Sequence, residues 1–122
     1  MSGVKLLVDT NVIIRHLSGD EKSETALEGA ALYISSITYA ELLAGQLNKQ
    51  EEEILVDYLN SVHIIHTNDF VCQTAGLLRR SHKIKLPDAL IAATSIFLGL
   101  PLVTFDSDFD SINNLQIIKL VV

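Results

Sequence analysis

Val4-Lys5-Leu6-Leu7-Val8-Asp9-Thr10-Asn11-Val12-Ile13-Ile14 is the stretch that decides the fold. Its first five residues form a short Leu- and Val-rich run ending at an aspartate, which predicts a buried strand of the parallel type. From Thr10 to Leu17 the apolar residues fall at 12, 13, 14 and 17, which predicts a helix stopped near Ser18-Gly19.

The same alternation runs on outward from there. Asp20 to Gly29 reads as a charged second helix, Leu32-Tyr33-Ile34 as a second strand, and Ile37 to Gly45 as a further helix. Gln50 to Leu59 opens with three glutamates, where a helix dipole favours negative charge. Val62 to Ile65 is a third strand. Asn68 to His82 has apolar residues at 71, 75, 77 and 78 and a basic end suited to a helix C-terminus. Pro87 marks the start of an apolar helix, Asp88 to Leu98, that ends at Gly99, and Leu102-Val103 and Gln116-Ile117-Ile118 are the last strands. Short apolar strands alternating with helices predict one α/β domain over residues 1–122, an open parallel sheet of four or five short strands with helices on both faces. In such sheets ligands sit at the carboxyl ends of the strands, where the strand order reverses.

Composition agrees with a folded domain. The chain has 122 residues, 48 % hydrophobic and 20 % charged, enough apolar material for a core and too little charge for a disordered chain. The single Cys72 cannot form an internal disulfide, which points to a reducing compartment. Met1-Ser2-Gly3-Val4-Lys5 has no signal-peptide layout, and the apolar stretch Ala89 to Val103 is interrupted by Thr94, Ser95, Gly99 and Pro101 and is too short to span a bilayer. The expectation is a cytoplasmic protein with no membrane partner. A net charge of −6 argues against backbone-driven nucleic-acid binding, unless several of the 15 acidic residues converge to hold cations. Arg79, Arg80, Lys83 and Lys85 crowd into seven positions with His82.

Five acidic residues occupy positions that a doubly wound sheet would bring to one edge. Asp9 ends the first strand, Glu41 lies on the helix after the second, Asp88 opens the long apolar helix, and Asp106 and Asp108 follow the strand at Leu102-Val103. Each also has a purely structural explanation. Asp9 suits an N-cap, Glu41 forms a T-x-x-E capping box with Thr38, Asp88 sits in a first helical turn, and Asp106 and Asp108 fit a polar turn. Two carboxylates about 4 Å apart repel by roughly 4 kcal/mol at an effective dielectric of about 20, so four together require a cation or bound protons. Oxygen-only ligands suit Mg²⁺ or Mn²⁺ rather than zinc. The four histidines, His16, His63, His66 and His82, lack a metal-site spacing and read as surface or partly buried residues.

Leu7-Val8-Asp9-Thr10-Asn11-Val12-Ile13-Ile14, Ile34-Ser35-Ser36-Ile37-Thr38-Tyr39-Ala40-Glu41-Leu42, Leu86-Pro87-Asp88-Ala89-Leu90-Ile91-Ala92-Ala93-Thr94 and Leu102-Val103-Thr104-Phe105-Asp106-Ser107-Asp108-Phe109, in this order and spacing, resemble a PIN domain and, more narrowly, the VapC-type ribonuclease toxins of prokaryotic toxin–antitoxin pairs. The resemblance implies that Asp9, Glu41, Asp88 and Asp106 are the catalytic quartet holding one or two Mg²⁺ or Mn²⁺ ions, with Asp108 a fifth ligand. Asn11, Thr104 and Thr38 match positions that orient ligands or water. The implied activity is endonucleolytic hydrolysis of RNA phosphodiester bonds in the prokaryotic cytoplasm, by a homodimer whose site is covered by a cognate antitoxin. Arg79, Arg80, Lys83 and Lys85 are candidate contacts to the RNA backbone, as is Arg15, or else solvated helix-end charges. Leu42-Leu43 and Ile54-Leu55 could serve an interface or the core. Two other readings within the fold are a binding protein without catalysis and a nuclease acting on DNA. A phosphoacceptor receiver domain is disfavoured, because Asp57 falls inside the helical run Glu52 to Leu59 rather than at a strand end.

Overall fold

Leu6, Leu7 and Val8 are all buried, and a strand with no solvated side chain along its centre must have neighbours on both edges and layers on both faces. In the computed structural model, which describes residues 3–122, this strand, β1 (Lys5–Val8), is the middle of a five-stranded sheet. Met1 and Ser2, where the reading of a leader-free N-terminus begins, lie outside the described residues. The chain continues as α1 (Thr10–Leu17), α2 (Glu21–Leu27), β2 (Ala31–Ser35), α3 (Ser36–Leu43), α4 (Lys49–Leu59), β3 (His63–Ile65), α5 (Asp69–Ser81), α6 (Leu86–Leu98), β4 (Leu102–Thr104), a single 3₁₀ turn (Ser107–Phe109) and β5 (Ile117–Lys119). The strand order is β3-β2-β1-β4-β5 and every pairing is parallel. Strand order reverses between β1 and β4, so the crevice favoured for ligands lies at the carboxyl ends of these two strands.

Alternation along the central strands divides the interior into two cores. Leu7 and Leu102 face one way, onto Val71, Ala75 and Leu78 of α5 and Ala89, Ala92 and Ala93 of α6. Leu6, Val8 and Val103 face the other, onto Val12 and Ile13 of α1, Leu27 of α2, Leu42 of α3 and Leu55 and Leu59 of α4. The predicted helices on both faces are therefore present. The predicted stripe on α5 is corrected at one position, since Leu77 is 59 % exposed while its neighbours in the pattern are buried. Asp57 lies on α4, away from any strand end, as expected. Among the described residues no helix is long and apolar enough to cross a membrane.

Helix boundaries follow local chemistry. Asp20, Ser35, Asn48 and Asn68 each cap a helix by accepting a backbone N–H three residues on, and Asn48 forms a full capping box with Glu51. The predicted box between Thr38 and Glu41 does not form. The helix begins earlier, Ser35 is its N-cap and accepts the Thr38 N–H, and Thr38 is already inside the first turn. α6 ends at Gly99 in the left-handed conformation (φ 65°), which lets the chain turn back into β4 without the Cβ clash other residues would incur.

Phe109 is fully buried in the α5–α6 core directly after Asp108, so it pins the loop that follows β4. Phe109→Ala is expected to lower the free energy of unfolding by about 3–5 kcal/mol. Urea denaturation checks this, and a loss under about 1 kcal/mol would contradict its place in the core.

Candidate functional site

In a parallel sheet the intervening helices run opposite to the strands, so helix N-termini gather at the carboxyl edge. Here Asp9 ends β1 and N-caps α1, Glu41 lies on α3, Asp88 is in the first turn of α6, and Asp106 and Asp108 lie at the turn after β4. The N-termini of α1, α3 and α6 thus present partial positive charge on the side where the acids collect. The structural explanation for Asp9 and its place at the sheet edge hold together, because one carboxylate serves both.

Asp9 is the most enclosed of the five, only 6 % exposed. Its Oδ1 accepts the Thr10 N–H at 2.9 Å and its Oδ2 accepts the Thr104 hydroxyl at 2.7 Å. Thr104 in turn accepts the Asp106 N–H at 3.0 Å, and Asp106 Oδ1 accepts the Asp108 N–H at 2.8 Å. One buried threonine therefore ties the end of β1 to the loop after β4. Oxygens of Asp88, Asp106 and Asp108 lie within 4.8 Å of one another. Asp108, expected only as an extra ligand, belongs to this compact group, while Asp9 and Glu41 stand outside it and reach it through their charges.

The electrostatics record the crowding. Burial, followed by the charges of Asp9, Asp106, Glu41 and Asp108, pushes the Asp88 carboxyl up to about 6 from an ordinary 3.8. Burial also raises Asp9; hydrogen bonds from Thr104 and Thr10 counter it, and the charges of Asp106 and Glu41 add to it. Asp88 thus feels the charges of all four other predicted carboxylates, and Asp9 those of Asp106 and Glu41.

The other predicted positions divide. Thr104 contacts Asp9 and the Asp106 backbone, whereas Asn11 is exposed on α1. Thr38 is buried and lies 2.9 Å from the hydroxyl of Thr10, which donates to Glu41 Oε1 at 2.7 Å. Thr10, which the sequence reading passed over, makes the contact with Glu41. A signal was available: β1 and β2 are adjacent, and each is followed closely by a threonine. Arg79 is engaged by its own chain, donating to the Ile84 carbonyl at 2.7 Å, while Arg80, Lys83 and Lys85 are exposed beside the start of α6. Arg15 lies over the Phe105 ring, 4.6 Å from its centroid. The histidines are exposed or half-buried as expected, with His16 Nδ1 3.0 Å from the Tyr58 hydroxyl.

A doubly wound α/β domain with an all-carboxylate cluster at its switch point has a donor set that could hold a hard divalent cation. The chain belongs to the PIN domain family, whose model matches residues 6–115. It is similar to a chain of a toxin–antitoxin complex from Klebsiella pneumoniae, with 31 % identity and a TM-score of 0.83 over 96 % of this chain and 99 % of that one. It is also similar to chains in VapBC2 from Rickettsia felis bound to a promoter DNA fragment (25 %, TM-score 0.82, 95 % and 98 % covered) and in VapBC-1 from nontypeable Haemophilus influenzae (25 %, 0.75, 95 % and 98 %). No curated protein matches the chain.

Because the folded state favours protonated Asp88, its contribution to stability is fully present below pH 3.8 and is lost as pH rises through about 6. At pH 7 without metal, Asp88→Asn is expected to stabilise the protein by of order 1 kcal/mol, after allowance for solvent screening. Thermal unfolding in EDTA measures this, and a variant less stable than wild type would contradict the crowding of charge at Asp88.

Proposed function

We propose that the protein is a Mg²⁺- or Mn²⁺-dependent endoribonuclease and the toxin of a prokaryotic toxin–antitoxin pair. The observation that carries this reading is the convergence of Asp9, Glu41, Asp88, Asp106 and Asp108 at the switch point of a PIN fold. The donor set fits hard divalent cations, since every candidate ligand is a carboxylate oxygen, with no Cys or His among them. Asp88, Asp106 and Asp108 would hold one ion, with Asp9 and Glu41 completing that sphere or sharing a second.

When bound, such ions supply Lewis-acid stabilisation of the charge that gathers on a phosphodiester during in-line hydrolysis and make water a stronger nucleophile. The protein's own part is arrangement. Thr104 fixes both the rotamer of Asp9 and the start of the Asp106 loop. Arg80, Lys83 and Lys85 stand exposed just ahead of Asp88, where they would meet phosphates of the approaching strand without reading its sequence. Arg79 reaches the same role only if it gives up its bond to Ile84.

The similar structures are toxin–antitoxin complexes, which supports a protein partner. A groove of about 350 Å³ lined by Ile14, Leu17, Leu42, Leu47, Ile54 and Leu55 opens beside Glu41, a fit for an apolar antitoxin segment that would cover the site. Leu42 and Leu55 are core residues that form its floor, while Ile54 is half exposed. For a homodimer, exposed Phe70, Leu77, Leu86 and Phe97 on α5 and α6 offer apolar area away from the groove.

Incubating the purified chain with structured RNAs and matching DNAs, in Mg²⁺, Mn²⁺ or EDTA, tests the proposal. Metal-dependent cleavage of RNA is expected, abolished by Asp9→Asn or Asp88→Asn. Mn²⁺ at a hundred times its Kd should add about 2.7 kcal/mol to wild-type stability, and little to Asp88→Asn. Cleavage of DNA alone would move the assignment to a DNA nuclease, and metal binding without cleavage of either would favour a non-catalytic PIN protein.

A further inference from the structure

Glu41 differs from the four aspartates. It has the longest side chain of the five, sits beyond the first turn of α3 and is exposed, so neither burial nor the α3 dipole holds its carboxylate toward the others. A free glutamate of this kind samples several rotamers, and ordering it has an entropic cost.

The tether on the page is Thr10. As the first residue of α1 it donates its backbone N–H to Asp9 Oδ1 at 2.9 Å, and its hydroxyl to Glu41 Oε1 at 2.7 Å. Thr10 has one hydroxyl proton, and a carboxylate oxygen is a stronger acceptor than a hydroxyl, which draws that proton toward Glu41. The same hydroxyl also donates to Thr38 Oγ1 at 2.9 Å, so its single proton is shared between the two acceptors. Thr38 is fully buried, and its own N–H is held by Ser35 Oγ at 3.1 Å. The Thr10 hydroxyl is thus anchored on buried Thr38 inside α3 as well as on the carboxylate, and Thr10, β-branched and stiff about χ1, stands between two fixed groups, Asp9 and Thr38.

We infer that Thr10 is a positioning residue that sets the separation of Asp9 and Glu41, bonding one through its backbone and the other through its hydroxyl, and thereby sets the affinity of the site for a divalent cation. The inference rests on the proposed metal-dependent function. It deepens that reading by assigning the fixing of Glu41 to a residue that is itself no ligand. The hydroxyl is the required group, so serine can replace threonine and valine cannot.

The test uses Mn²⁺ alone as probe, with its Kd measured calorimetrically for wild type, Thr10→Val, Thr10→Ser, Glu41→Gln and the Thr10→Val/Glu41→Gln double variant. Thr10→Val is expected to weaken Mn²⁺ binding about tenfold, in the range for partners that orient metal ligands. Thr10→Ser should stay within about twofold of wild type, and Thr10→Val should add nothing once Glu41 is already Gln, the signature of action through that residue. A Thr10→Val variant that binds like wild type, or whose loss persists undiminished in the Glu41→Gln background, overturns the inference. Side-chain NMR of Glu41 in EDTA reads the tether without metal: a single rotamer in wild type and Thr10→Ser, averaged in Thr10→Val. Averaging already present in wild type likewise overturns it. A wild-type chain that binds no Mn²⁺ defeats the proposed function and the affinity claim together, while the NMR comparison decides the tether separately.

Discussion

The 2.7 Å hydrogen bond from Thr104 to Asp9 joins the carboxyl ends of β1 and β4 at the point where strand order reverses. Everything at the site is referred to it. Asp9 is held in a buried position it would otherwise leave, because a desolvated carboxylate is expensive unless its oxygens are bonded. The same threonine receives the Asp106 N–H, so the loop bearing Asp106 and Asp108 starts from a fixed origin, and Phe109 closes it by burial. Register does the rest. Asp9 donates its backbone N–H to Val103 O at 3.0 Å, which extends the β1–β4 ladder one step into the site.

This arrangement opposes stability. The charges gathered around Asp88 and Asp9, which push both carboxyls up, are a standing electrostatic strain, offset partly by the N-termini of α1, α3 and α6 and partly by hydrogen bonds to Asp9. Sites of this kind are where a fold gives up stability for chemistry. A divalent cation would reverse the sign of the strain, since repulsion among the carboxylates would give way to attraction to a shared ion.

Most of the architecture was legible in the sequence because its signals are local. Buried β-runs such as Leu6-Leu7-Val8, the proline that opens α6 and the glycine that ends it each carry their own physical reason. The five carboxylates were legible as a group once the sheet was taken as doubly wound, since topology alone brings strand ends and helix starts to one edge. What the sequence could not show were the contacts that depend on side-chain geometry between distant elements. Thr38 looked like half of a capping box with Glu41 because the pattern T-x-x-E fits, but α3 starts one turn earlier, at Ser35, whose hydroxyl competes for the same N–H. Thr10 was hidden for the opposite reason: its partners lie 28 and 31 residues away, and no local pattern announces them. Asn11, its neighbour, points into solvent on a helix whose inward face belongs to Val12 and Ile13.

The charge balance takes on a different meaning with the cluster in view. Of 15 acidic residues, five lie at one sheet edge, and the remaining ten face nine Lys and Arg, so the rest of the surface is close to neutral. The net charge of −6 is therefore mostly a property of the site. A cation-free cluster would repel a phosphodiester, and a loaded one would not. Little general attraction for a polyanion remains elsewhere, because binding driven by the phosphate backbone scales with the number of phosphates neutralised. In the proposed reaction, capture of substrate then falls to the few exposed cations on the short connection before α6 and to the metals themselves, and the acidity that first argued against nucleic acid becomes the feature that makes its binding conditional on metal.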